Sequence, residues 1–461
     1  SIRSLYPKLK IEGGAGVRPH KNSINNYCYP ENPEAGIDLF LEKLVQETEK
    51  EHEDILEQAD ETDAMFGELY SWYLRNPEYR SRVQKLVQSA FAGKPKDIIS
   101  QSVAKALYGE VSPYSATRLE RFAACAFAHF LQYGMKLTER VEYEFKPMDM
   151  GNVMHEALES FAEEVRKRGM KWKELTEQER NEIADRCLDN IVADYGNTVL
   201  KSSARNEYMI ERTRRILRRT VWALQKQLEQ GEFQPEGFEV TFGGGRIDRV
   251  DIMEDQNKVY VKVIDYKTGN TSFDLVYLYH GLQLQLMIYL DGALRVEQKK
   301  YPDKEIIPAG VFYYNIKDPM IQEKIDADVE AVSAGLMKEL KMNGLVQADP
   351  ELVYRMDSSL GSIPVAFNKD GSFRKNSSVA DRTQFAVLGR YVRMKIEKIR
   401  SSILEGDAEV SPYELGKKNA CTYCPYMTVC GFDRRLSGYE FRRLKNFSDE
   451  ELWKAFDREA E

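Results

Sequence analysis

The chain has 461 residues, 42% hydrophobic and 30% charged, with 66 Lys+Arg against 74 Asp+Glu for a net charge of −8. That length predicts two or three domains with ample buried core. The acidic balance excludes a protein that coats nucleic acid non-specifically, although an enzyme with a local basic groove stays open.

No run of ~18 apolar residues is present, so no membrane span is predicted. The opening SIRSLYPKLK carries neither an apolar signal core nor a starting methionine. It reads as the start of a fragment of a longer, cytoplasmic protein. Residues 1–110 read as mainly helical and acidic, with stretches such as ETEKEHEDILEQADETD. Gly93-Lys94 is followed by Pro95 and has no glycine five residues before the lysine, so a Walker A phosphate loop is absent. A boundary is expected near Ser112-Pro113. Beyond it, Thr117 and Glu120 fit a T-x-x-E capping box that opens a helix carrying Cys125. Met150 to about Arg168 predicts a second helix, bearing His155. Residues 205–228 predict a third, with Ile216, Leu217, Val221, Leu224 and Leu228 at helical spacing and Arg212, Arg214, Arg215, Arg218 and Arg219 opposite. A β-rich core is expected from Phe238 to Lys267, then a helix around Gln283–Leu290, a strand in AGVFYYNI (309–316) and a helical 376–400. Strands alternating with helices indicate an α/β fold.

The chemistry concentrates in GGGRIDRVDIMEDQNKVYVKVIDYKTG, residues 243–269, read as two strands joined by a tight turn at Glu254–Lys258. Asp265 and Lys267 are two apart and share a face with Val259, Val261 and Val263. Charged groups ending an apolar stripe are costly unless paired or binding a metal. If Gln256-Asn257 is the turn, Asp255 pairs with Lys258 and Asp248 lies opposite Asp265. Two facing carboxylates invite a hard divalent cation such as Mg²⁺ or Mn²⁺. Such an ion polarises a phosphate and acidifies a bound water, with Lys267 orienting that water or stabilising developing charge. The plainer reading is a salt-bridged hairpin, Asp265 with Lys267 or Arg246. Gln285 and Tyr289, four apart on one helix face, follow directly. His155 lies on an apolar helix stripe, where a hydrogen-bonded core histidine is the commoner role. The order His, Asp, D-x-K, Q-x-x-x-Y weighs against coincidence.

GNVMHEALESF, GGRIDRVD, VKVIDYKTG and QLQLMIY resemble the motifs of RecB-like nucleases of the PD-(D/E)XK superfamily. The resemblance implies a restriction-endonuclease-like core: a mixed central sheet flanked by helices. It also implies His155, Asp248, Asp265 and the Tyr266 carbonyl as metal ligands, Lys267 as catalytic lysine, and Gln285 and Tyr289 facing the DNA or the active site. Asp265 stands where many members have Glu.

Three of the six cysteines, Cys421, Cys424 and Cys430, form C-x₂-C-x₅-C. They are one ligand short of a tetrahedral zinc site or a four-cysteine iron–sulfur cluster. Spacing leaves the fourth open among Cys125, Cys28 and Cys187, and C-x₂-C by itself favours zinc. A second resemblance reverses that preference. SPYSATRLERFAACAFAHFLQYGMKL is similar to the segment preceding the nuclease motifs in AddB-type subunits of helicase–nucleases. There, one upstream cysteine joins three C-terminal ones on a [4Fe–4S] cluster. The matching residues are Cys125, Cys421, Cys424 and Cys430; Ala126 departs from the proline that often follows. Such a staple closes a loop of 421 − 125 = 296 residues, and by disulfide-type entropy removes roughly 5–6 kcal/mol of unfolded-chain freedom. Its expected role is structural, since hydrolysis needs no electron.

The resemblance covers 112–445, with 1–111 expected as the helical tail of a helicase-like region and 446–461 as a C-terminal helix. It implies an exonuclease or nuclease domain cutting one strand of DNA, single-stranded as it leaves a motor, during double-strand-break repair and homologous recombination. The implied partner is an AddA-type helicase–nuclease subunit in a heterodimer. Two rivals stand beside it: a stand-alone iron–sulfur nuclease like those of CRISPR adaptation, and a DNA-binding module with a vestigial site. The basic stretches 212–219, 390–400 and 434–445 read first as solvated helix faces and second as a phosphate-backbone lining.

Overall fold

The computed structural model describes residues 33–49, 61–90, 98–109, 115–138, 147–194, 203–243, 245–321, 328–436 and 438–460. The chain divides into two compact units, one formed by residues 1–97 with 431–441 and the other by 98–430 with 442–461. Among its described residues, the smaller unit holds helices α1 (Pro33–Glu49), α2 (Glu61–Arg75) and α3 (Pro77–Ala90). They close around Ile37, Phe40, Leu44, Tyr73 and Val83.

The larger unit opens with α4 (Gln101–Tyr108), α5 (Ala116–Ala124) and α6 (Ala126–His129), followed by α7 (Pro147–Lys167), α8 (Glu177–Asp194) and α9 (Ala204–Glu229). Strands β1 (Gln234–Phe242), β2 (Gly245–Asp255) and β3 (Lys258–Lys267) follow. Next come α10 (Leu275–Tyr279), α11 (Gln285–Lys300), β4 (Glu305–Asn315), α12 (Val329–Glu339), β5 (Asn343–Gln347), α13 (Pro350–Met356), β6 (Val379–Ala380) and α14 (Arg382–Glu405). A small sheet of β7 (Tyr413–Leu415), β8 (Lys418–Asn419) and β9 (Arg442–Arg443), with α15 (Met427–Cys430) and α16 (Asp449–Ala460), completes it.

The large sheet runs in sequence order β1 to β6. Pairing is antiparallel for β1–β2–β3, parallel for β3–β4, antiparallel for β4–β5 and parallel for β5–β6. This is the mixed sheet flanked by helices that the sequence implied. β3 is covered on both faces, which is why VYVKVIDY reads as a nearly continuous buried run. Val259, Val261 and Val263 pack with residues of α5, α11, α14 and α16. Tyr260, Ile264 and Tyr266 pack with α7, α8 and α9.

The expected turn is present: Asp255 pairs with Lys258, and the β2–β3 ladder runs from there to Arg249 opposite Ile264, one step short of Asp248 and Asp265. Gln256 takes a φ of 41°, which a two-residue hairpin turn requires at its first position. The T-x-x-E capping box needs correction. Ser115 caps α5, its side chain accepting from the Arg118 amide, and Thr117 lies inside the helix. Cys125 follows α5 in extended conformation (φ −165°, ψ 118°), breaking α5 from α6. β1 starts at Gln234, ahead of the expected β-rich core, and β5 is an added strand. β6 occupies Val379–Ala380, where the helix expected over 376–400 was to begin, so that helix starts at Arg382. α8 and α13 join the core through Ile183, Leu188, Leu352 and Val353. Cys187 is buried on α8, and Cys28 lies outside the described residues.

Candidate active site

The predicted residues converge where β2 begins and β3 ends, near α7 and the start of α11. β2 places Asp248 between two neighbours. Phe238 pairs with Arg249 and Val240 with Ile247, which brings Glu239 of β1 beside Asp248, and Glu239 takes a left-handed φ of 50° that interrupts the strand alternation there. Asp265 of β3 lies near enough for its charge to act on Asp248. From α7, His155 Nδ1 reaches Asp248 Oδ2 at 3.3 Å and Glu239 Oε1 at 3.7 Å. Ligand atoms of His155, Glu239 and Asp248 all lie within 4.8 Å of one another, the only such trio among the described residues.

Asp248 Oδ2 also accepts from the Tyr266 amide at 2.7 Å. That bond brings the backbone of Tyr266 beside Asp248, while its ring lies edge-on to His155 at 6.1 Å. Asp265, 1% exposed, has Oδ2 at 2.6 Å from Lys267 Nζ. This close ion contact partly offsets the burial of the Asp265 carboxylate. Lys267 Nζ donates to Gln285 Oε1 at 2.7 Å, and Gln285 Nε2 donates to the Tyr289 hydroxyl at 2.9 Å. The single helix face expected for Gln285 and Tyr289 thus does hold the lysine. Arg246, weighed above as a partner of Asp265, pairs with Glu239 instead.

This crowding shifts protons. Burial, then the neighbouring Asp265, pushes the Asp248 carboxyl up to about 7 against the opposing pull of His155 and the Tyr266 amide. Burial raises Asp265 as well, with Lys267 opposing. His155 is raised: burial works against its charge, but Glu239, Asp248 and Asp265 outweigh it. Groups that hold protons at neutral pH only for want of compensating charge are what a divalent cation would discharge.

Beneath the site, on the α7 face, Arg249 makes a two-point pair with Asp251 (2.6 and 2.9 Å), and Lys262 meets Asp251 at 2.9 Å. All three are buried. Arg249 is capped by the rings of Trp172 and Phe238.

Two residues at the site escaped sequence reasoning. Glu239 becomes visible only when β1 is paired with β2, although FEVTF carries a strand-like alternation. Glu120, read as part of a local cap, instead accepts from the amides of Leu284 and Gln285 at 2.7 and 2.9 Å.

The cysteines gather in the same unit. Burial, then Cys125, Cys424 and Cys430, pushes the Cys421 thiol up to about 12. Tyr426, inside the cysteine loop, donates to the Leu137 carbonyl, and the Arg121 guanidinium lies 5.8 Å from its ring. The basic stretches are largely engaged within the fold. Arg214 and Arg218 pair with Asp185, Arg215 and Arg219 with Asp318, and Arg393 with Asp291.

A family model described as the PD-(D/E)XK nuclease superfamily matches residues 113–431. The chain belongs to the PD-(D/E)XK nuclease superfamily. Its match covers every site residue above, from Glu120 to Cys430. This superfamily member is also similar to curated proteins named as the B subunit of an ATP-dependent helicase/deoxyribonuclease. The one from Lachnoclostridium phytofermentans is 41% identical, over the whole of this chain and 40% of its own length. Those from Thermoanaerobacter sp. and Clostridium acetobutylicum are 34% and 33% identical, each over 99% of this chain and 42% of their own length. The chain thus spans about two fifths of the length of these relatives.

Proposed function

We propose that this domain is a Mg²⁺- or Mn²⁺-dependent deoxyribonuclease that hydrolyses the backbone of single-stranded DNA. An AddA-type helicase–nuclease subunit would deliver the strand during double-strand-break repair in the cytoplasm. The observation that carries the reading is the buried pair Asp248 and Asp265, flanked by His155 and by Lys267. The donor set suits a hard cation: His155, Asp248, Asp265 and the Tyr266 carbonyl would hold it, with Glu239 adjacent. A bound cation supplies charge to polarise the phosphate and to acidify water. The protein's own residues do the rest. Gln285 and Asp265 fix Lys267 from two sides, so its ammonium is aimed before substrate arrives. There it orients the attacking water and faces the charge that grows on the phosphate as the P–O bond breaks.

For Cys125, Cys421, Cys424 and Cys430 we propose a [4Fe–4S] cluster with a structural role. What supports this reading is the resemblance of the segment around Cys125 to AddB-type subunits, together with the mutual influence of the four thiols at Cys421. The name of the relatives, which makes them part of a helicase/deoxyribonuclease, supports the partner and the substrate.

The test is cleavage of 5′-labelled single-stranded DNA by protein purified without oxygen. Wild type should cut with Mg²⁺ and stop with EDTA, and Asp265→Ala should lose at least about 100-fold in rate. Equal cutting by Asp265→Ala and wild type would remove the proposed site from consideration.

A further inference from the structure

α11 carries Gln285, which holds Lys267, yet its own sequence supplies no cap. The residue before it, Leu284, has helical φ and ψ and no side chain able to accept from the first amides. Unsatisfied amides at a buried helix start are costly and need a partner. That partner comes from far away in sequence: Glu120 Oε1 accepts from both Leu284 N (2.7 Å) and Gln285 N (2.9 Å). A carboxylate there also meets the positive end of the helix dipole.

Glu120 belongs to α5, whose end is tied to the cysteine segment. Cys125 terminates the helix, Arg121 lies over the Tyr426 ring, and Arg442 donates to the Ala123 carbonyl. We infer that Glu120 is a positioning residue, a cap supplied in trans that sets the first turn of α11, and through Gln285 the aim of Lys267, from the helix anchored at the cysteine site. This rests on the nuclease reading for its catalytic consequence, not for the anchor itself. Its environment agrees: burial pushes the Glu120 carboxyl up to about 7 even against the two amides and the nearby Lys267.

The experiment compares Glu120→Ala, Glu120→Asp and Glu120→Gln in the full chain purified without oxygen. It uses single-turnover cleavage of labelled single-stranded DNA, DNA affinity, and hydrogen exchange over residues 282–290. Glu120→Ala should exchange at Leu284 and Gln285 at least about 10-fold faster and cleave about 100-fold more slowly, with unchanged affinity, as a misaimed group does. Glu120→Gln, whose amide oxygen accepts the same two bonds, should recover most of both. Glu120→Asp, one methylene short, should fall between and carries the test if the alanine variant does not fold.

Cleavage by Glu120→Ala within 3-fold of wild type, or Glu120→Gln as slow as Glu120→Ala, overturns the inference. If wild type cuts nothing, the nuclease reading fails, and exchange still decides the anchor: unchanged exchange in Glu120→Ala or Glu120→Asp overturns it.

Discussion

Asp248 is a carboxyl that the fold holds against its charge. It is pushed up to about 7, above its ordinary 3.8, because burial and Asp265 oppose ionisation. A carboxyl raised by folding contributes stability that is fully present below about 4 and lost as pH rises through about 7. Metal-free protein should therefore be less stable at pH 8 than its Asp248→Asn variant, which keeps the shape and removes the charge. At pH 4 the two should unfold alike. Urea midpoints at both pH values, in EDTA, check this. A variant no more stable than wild type at pH 8 would mean Asp248 is not held against its charge. Added Mg²⁺ should reverse the order at pH 8 by stabilising wild type alone.

At the scale of elements, the site depends on how closely strands and helices approach. β5 pairs with β4 through Gly344, where a Cβ would lie 1.9 Å from the Val311 carbonyl oxygen. Backbone cannot yield as a side-chain tip can, so Gly344→Ala should cost roughly 3 kcal/mol or more, beyond usual overpacking. Asn343, next to it, accepts from Phe273 N and donates to the Thr271 carbonyl, and Asn315 makes a similar pair with Thr271. Loosening β5 therefore also frees the loop that leaves Lys267. Thermal unfolding with parallel exchange over 268–274 checks the prediction, and a variant with wild-type midpoint contradicts it.

At the scale of the molecule, Cys125 lies before the first strand of the large sheet and Cys421 after its last. A centre joining them would enclose the entire large sheet in one closed loop. If one centre binds all four thiols, Cys125→Ser and Cys421→Ser should each lower stability by several kcal/mol, on the order of the ~5 expected for so long a loop. The double variant should cost no more than either single, because the staple is lost once. Additive losses in denaturant unfolding would show separate roles.

What the sequence alone determined follows from local periodicity. Alternation along KVYVKVIDYK placed Asp265 and Lys267 on one face, the QN turn set the register of the β2–β3 hairpin, and helical spacing joined Gln285 to Tyr289. Each is a relation within one element or across one tight turn, where covalent geometry leaves little choice. His155, the Tyr266 carbonyl and the Cys125 assignment came from family motifs, since nothing local binds α7 or α5 to the hairpin. Only the tertiary structure decided the rest. Glu239 joins the site because β1 pairs with β2, and Arg214, Arg215, Arg218 and Arg219 of α9 are taken up by Asp185 and Asp318. Glu120 left the local capping role its spacing suggested for a helix start 164 residues away. Ser115 had already satisfied its own helix, while the uncapped amides of α11 had no partner nearer in the chain.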